Sequence, residues 1–216
     1  MGQESALNPK DFLFAFCSNW QLELLRQYSS VMCLDSTHNT CCALESNHGA
    51  FLHSIVIKHD DAGCGIPVAF MVTNSENMVP LEMWLRQLKE SVPFNHTPIF
   101  MIDCSRTEVA AIKAVFPNPS IRYCHWHFFR VLTSQVTKKI KLSSDRKSAI
   151  SDFRALLWTK TQSDFQTKWE AYMEKYKLHP EWINYLRSQW MNDVDKWWNG
   201  YRMVRPIPLD VANNIY

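Results

Sequence analysis

The hydrophobic period of this chain changes once, near residue 142, and that change constrains the fold more than any other feature. Up to that point, short apolar runs alternate with helix-spaced stretches. "SSVMCLDST" (29–37), "GAFLHSIVIKHD" (49–60), "PVAFMVTN" (67–74), "PIFMID" (98–103) and "SIRYC" (120–124) each read as a strand bounded by turn or acidic residues. "DAGCGIP" (61–67) supplies the turn between the second and third runs and makes them a hairpin. Residues 75–92, 105–117 and 125–141 carry helical spacing, and Met83, Leu85 and Leu88 mark the inner face of the first. Ser105 and Glu108 stand in the spacing of a capping box. Beyond 142 no strand is readable, and helical patterns fill 144–158, 162–176 and about 180–199. Upstream, Phe12, Phe16, Trp20, Leu24 and Tyr28 recur four apart and predict a helix over 8–28. The expected class is α/β, with three parts: a helical lead-in (1–28), a mixed five-stranded sheet flanked by helices (29–141) and an all-helical block (142–216).

Composition narrows the function classes. Hydrophobic residues make up 46% and charged residues 20%, as expected for a folded soluble chain. Five glycines and no GxxxxGK[ST] or GxGxxG exclude the common phosphate-cradling loops. No apolar run is long enough to span a membrane, and no signal-peptide core is visible. Seven scattered cysteines favour a reducing compartment over a disulfide frame. The net charge is only +2, but residues 121–147 hold seven basic residues (Arg122, Arg130, Lys138, Lys139, Lys141, Arg146, Lys147) against Asp145. Such a stripe is either a solvated helix face or a seat for a polyanion.

Three features carry chemistry. Asp35 and Asp103 each end an apolar strand, where an α/β sheet collects ligands. An acid there is a turn or cap residue, or a metal or catalytic group, and a pair on neighbouring strands would suit divalent cations in phosphodiester chemistry. Cys124-x-x-His127 follows the fifth strand, and no second pair completes a four-ligand zinc frame. Packing of both residues beside the acids, with His127 near a phosphate, is the alternative to a small zinc-bound interaction domain. His38 lies three residues after Asp35. The tryptophan-rich segment from Trp158 to Trp198 reads as helix packing rather than as a base-stacking platform.

Taken in order, "VMCLDSTHNT", "FMIDCSRTEVAAIKAVFP" and "IRYCHWHFFR" resemble the transposase domain of Mutator-like elements over residues 12–141, with a looser likeness to 214. The resemblance implies an RNase H-like fold with a DDE-type site and a two-metal centre using Mg²⁺ or Mn²⁺. It makes Asp35 and Asp103 the first two catalytic acids, and places Cys124 and His127 close to them. It further implies a nuclear protein without membrane attachment that acts as an oligomer on DNA, at transposon terminal repeats and at target sites. Arg122, Arg130, Lys138, Lys139 and Lys141 would be its phosphate contacts. Relatives place their third acid after an Asn-Asn pair and two intervening residues, and this chain closes on Asn213-Asn214-Ile215-Tyr216. The expectation is therefore weak or no cleavage by these 216 residues, or a domesticated module that binds DNA or protein without catalysis.

Overall fold

"FLFAF" (12–16) alternates large rings with smaller residues, and in the computed structural model it forms an edge strand, β1 (Leu13–Phe16), not the start of a helix. The structure describes residues 7–42, 49–59, 62–94 and 98–204, without the side chains of 38–42 and 202–204. β1 pairs antiparallel with β4 (Cys64–Thr73), from Leu13 opposite Thr73 to Phe16 opposite Phe70. Its end is fixed by Asn74, whose Oδ1 accepts from the Phe12 N–H at 2.8 Å, and by Thr73, whose hydroxyl donates to the Phe12 carbonyl at 2.7 Å. Helix α1 (Asn19–Tyr28) begins only after Ser18. There a full capping box forms: Ser18 Oγ accepts from Gln21 N at 3.2 Å, and Gln21 Oε1 accepts from Ser18 N at 2.8 Å. The four-residue spacing of Phe12, Phe16 and Trp20 fits a strand and a helix equally, and the cap decides between them. All three side chains are exposed, while Leu24 and Leu25 face the core. Replacing Ser18 with alanine leaves the Gln21 N–H without its partner and is expected to cost about 1 kcal/mol in a denaturant titration.

The remaining strands are β2 (Val31–Cys42), β3 (Gly49–His59), β5 (Ile99–Ile102) and β6 (Ser120–Tyr123). They form one six-stranded sheet in the order β1-β4-β3-β2-β5-β6. β2, β3 and β4 are successive antiparallel neighbours, and β2 and β5 run parallel. This is the expected α/β architecture with one more edge strand. Gly63 turns the β3–β4 hairpin at φ 64°, and its N–H donates to the His59 carbonyl at 3.0 Å. Pro67, which has no ladder donor, stands opposite Val56 beside the register shift between Ile55 and Val56.

Helices α2 (Met78–Ser91) and α3 (Arg106–Val115) pack on each other, and Lys89 Nζ donates to the Val115 carbonyl at 2.7 Å. Leu81, Trp84, Leu85 and Leu88 are the buried face of α2, whereas Met83, expected inside, is 40% exposed. The turn spacing 81/84/85/88 puts residue 83 on the outer side.

Two compact units divide between Arg122 and Tyr123. The first contains the sheet with α1, α2 and α3. The second contains α4 (His125–Lys139), α5 (Ser143–Leu157), α6 (Gln162–Lys175), α7 (Pro180–Gln189), a 3-10 turn (Met191–Asp193), α8 (Val194–Trp197) and α9 (Asn199–Val204). Its core is aromatic: Phe128, Phe153, Trp182 and Trp197 are fully buried. Among the described residues, no helix is long and apolar enough to cross a membrane.

Candidate metal centre and neighbouring cavity

The parallel ladder between β2 and β5 sets the two acids side by side. Val31, Met32 and Cys33 pair with Ile99, Phe100 and Met101, and the same offset carried two residues further sets Asp35 against Asp103. β5 ends at Ile102, so Asp103 is the first residue past its strand. Asp35 does not end its strand, contrary to the reading of 29–37 as a complete run. β2 continues to Cys42 and outruns β5, with Asp35 paired to Ser54 on the β3 side only. The two half-buried carboxylates therefore meet where one flank of β2 loses its neighbour, with ligand oxygens within 4.8 Å of each other. Two hard oxygen donors at this spacing fit a divalent cation of the Mg²⁺ type, which takes one or two carboxylates and completes its shell with water and phosphate.

Ser36 follows Asp35 and, by the pleat of the strand, points to the opposite face. It lies in register with His53 on β3, and His53 with Met71 on β4. This row floors a cavity of about 300 Å³ roofed by the first turns of α2 and α3, and Asp103 also lines it. Glu108 reaches the same cavity from α3. Ser105 caps that helix through the Glu108 N–H at 3.2 Å, as the capping-box spacing implies. The Glu108 carboxyl turns inward, and its Oε1 accepts from the Ser36 hydroxyl at 2.9 Å. His53 Nδ1 lies 2.7 Å from Ser36 Oγ, and because that hydroxyl proton goes to Glu108, the imidazole N–H donates. Glu108 is 4% exposed, and its Oε2 has no partner.

Burial first, then the negative charge of Asp103, pushes the Glu108 carboxyl up to about 8; Asp35 adds to the rise, while the Ser36 hydroxyl and the Asp103 backbone oppose it. The folded value lies above the ordinary 4.5, so the native state holds an extra proton between the two. The stability this group contributes is complete below about pH 4.5 and is lost as pH rises through about 8. In metal-free buffer, urea titrations should show the protein losing on the order of 5 kcal/mol over that interval, with the loss absent in Glu108→Gln.

Glu108 was hidden in the sequence because it satisfies the capping-box pattern. The available signal was its position on the stripe 108, 111, 112, 115, whose other members are buried apolar residues. Ser36 and His53 carried no signal of their own; the ladder brings them together.

The other candidate residues divide as follows. His38 lies on β2, but its side chain is outside the described residues, as is the Asn213-Asn214 segment. Cys124 is the N-cap of α4 in the second unit, without a side-chain capping bond, and half-buried His127 sits in the first turn of that helix. Trp126 is 60% exposed and lies under the Arg130 guanidinium, whose centre is 5.2 Å from the ring. Arg122 does not belong to the exposed stripe: it is 8% exposed, and its Nη1 donates to the Ile121 carbonyl at 3.0 Å. Its place on a four-residue strand puts it inside. Arg146 closes the end of α4, with Nε on the Ile140 carbonyl at 2.6 Å. Lys139 lies over the Tyr185 ring at 5.3 Å, and Arg130, Lys138 and Lys141 are exposed.

No curated protein matches the chain. A family model described as "Zinc finger SWIM domain-containing protein 1/3, RNaseH-like domain" matches residues 13–122, just over half of its length.

Proposed function

The chain belongs to the RNaseH-like domain family of zinc finger SWIM domain-containing proteins 1/3, and from that premise we propose that it is a divalent-cation-dependent domain acting on DNA phosphodiesters, of the transposase type suggested by its Mutator-like motifs. The observation that carries this reading is the Asp35–Asp103 pair, two carboxylates with oxygens within 4.8 Å where β2 outruns β5. Asp35 and Asp103 would hold Mg²⁺ or Mn²⁺, which when bound supplies charge stabilisation to a phosphate undergoing attack. The two residues fix the cation on a rigid part of the sheet, since Leu34, Phe100 and Ile102 around them are buried. Exposed Arg130, Lys138 and Lys141 would hold phosphates and orient a strand without reading its sequence. Trp126, exposed beside Arg130, adds a stacking surface. Nuclear localisation and self-association belong to the same proposal.

The testing experiment is incubation of the purified chain with DNA carrying inverted terminal repeats, in Mn²⁺, in Mg²⁺ and in EDTA. Weak nicking in either metal and none in EDTA is expected. A second reading, a DNA-binding module without catalysis, is favoured by one observation: among the described residues, no third carboxylate joins Asp35 and Asp103 at that spacing. Retention of the DNA in gel shifts, with no product in Mn²⁺, would select that reading.

A further inference from the structure

Helices α4 and α5 pack on each other through Phe128 and Phe153, both fully buried, with ring centroids 6.0 Å apart. The residues beside these two leave the core and form two rungs across the helix pair. In the first, the His125 and Trp158 rings meet nearly perpendicular with centroids 5.5 Å apart, and Trp126 follows His125 on the exposed side. In the second, one helical turn along α4, the Arg154 guanidinium lies over the Phe129 ring at 4.6 Å, and Arg130 follows Phe129. Trp126 and Trp158 are 60% and 45% exposed. Trp169, Trp182, Trp190, Trp197 and Trp198 are all buried, so packing claims every later ring of the tryptophan-rich segment and leaves Trp158 out. Charge on this surface is one-sided. Residues 125–141 contain no acid, and between 146 and 160 the sole acid, Asp152, accepts from Lys175 at 2.6 Å and from Tyr176 at 2.7 Å. Among the described residues, neither Arg130 nor Arg154 meets a carboxylate.

We propose that this face binds unpaired nucleotides of a DNA strand, with Trp126 and Trp158 stacking on bases and Arg130 and Arg154 holding phosphates. The inference rests on the DNA reading above and adds the state of the strand. A base stacks on a tryptophan only through an open face, and inside a duplex both faces of each base are covered by neighbouring pairs. Guanidiniums alone would take duplex and single strand alike. A small free anion would engage the guanidiniums and leave both tryptophans bare. An apolar partner would cover the tryptophans and bury two guanidiniums without counter-charge, which is costly. A nucleotide joins a flat ring to a charged phosphate, as this surface joins a rung of rings to a rung of guanidiniums. The platform is ordered before a strand arrives. Phe128 and Phe153 lock the two helices behind it, and His125 is held in place by its Nε2–H, which donates to the Trp197 carbonyl at 3.1 Å.

The experiment measures equilibrium binding by fluorescence anisotropy in Ca²⁺, with the full chain and three forms of one probe. These are a short thymidine strand, the same strand annealed to its adenine complement, and the same backbone with abasic sites in place of its bases. The thymidine strand should bind at least about tenfold more tightly than its abasic counterpart. Trp158→Ala should weaken the thymidine strand by about fivefold or more and leave the duplex and the abasic strand unchanged. Trp158→Phe, which keeps a ring, should retain most of the preference. Arg154→Gln should weaken all three probes and lower the slope of log affinity against log salt by about one. Equal affinity of the wild-type chain for the thymidine and abasic strands, or an equal loss of duplex and thymidine binding in Trp158→Ala, overturns the platform and leaves the DNA reading standing. Failure of all three probes to bind overturns the DNA reading, and the platform with it.

Discussion

Asp103→Asn should lower divalent-cation-dependent DNA cleavage by at least about a hundredfold while leaving the fold intact. The magnitude follows from the residue's place. Groups that only orient a metal ligand typically cost ten- to a hundredfold when removed, and Asp103 is placed to be a ligand itself. The fold should survive because Asp103 is half-buried just past the end of β5, outside the ladder, while Phe100 and Ile102 of that strand remain in the core. Asparagine keeps the volume and loses the charge, so the change isolates cation binding. Two measurements separate this from a structural role: initial rates of nicking in saturating Mn²⁺, and the rise in Tm that Mn²⁺ gives the wild-type protein. Asp35→Asn should lose both in parallel, because the two carboxylates face one another across a shared register. An Asp103→Asn protein that nicks DNA at the wild-type rate would remove the acid pair from the mechanism.

The pair was legible in the sequence because burial and termination leave a mark in the chain. An apolar run such as "PIFMI" must lie in a sheet, and an acid directly after it must sit at the rim. What could not be read was where Asp35 lies along its strand. β2 runs on for seven residues beyond it because β3 is long enough to pair with them, and only the partner's length decides that. The misread lead-in has a similar origin. Phe12, Phe16 and Trp20 are compatible with both periods, and β1 forms because β4 has a free edge to offer. Glu108 was concealed by a local rule that is true as far as it goes. Ser105 does cap α3, but the acid three residues on turns to Ser36, seventy-two positions away. Trp126 shows the converse. Large rings generally lie in the core, yet this one is exposed, while its neighbour Phe128 takes the core position on the same helix.

The largest expected loss of stability lies in the helical unit, at Trp197. This ring is fully buried and stacks on Phe128 with centroids 5.4 Å apart; Phe153 lies at 5.3 Å and Phe165 at 5.8 Å. Its Nε1 donates to the Trp190 carbonyl at 2.8 Å. Trp197→Ala removes a ring shared by α4, α5 and α6 and strands a buried carbonyl, so a cost of about 3–5 kcal/mol is expected. Trp126→Ala, on an exposed face, should change stability by less than about 1 kcal/mol and should instead weaken DNA binding, since it carries the ring beneath Arg130. Urea denaturation followed by far-UV circular dichroism, with DNA affinity measured on the same preparations, separates the two roles. A single role for both tryptophans, as core or as stacking surface, requires the two variants to fail in the same assay. The burial of one ring and the exposure of the other require them to fail in different ones, and equal destabilisation by both would refute the packing described for Trp197.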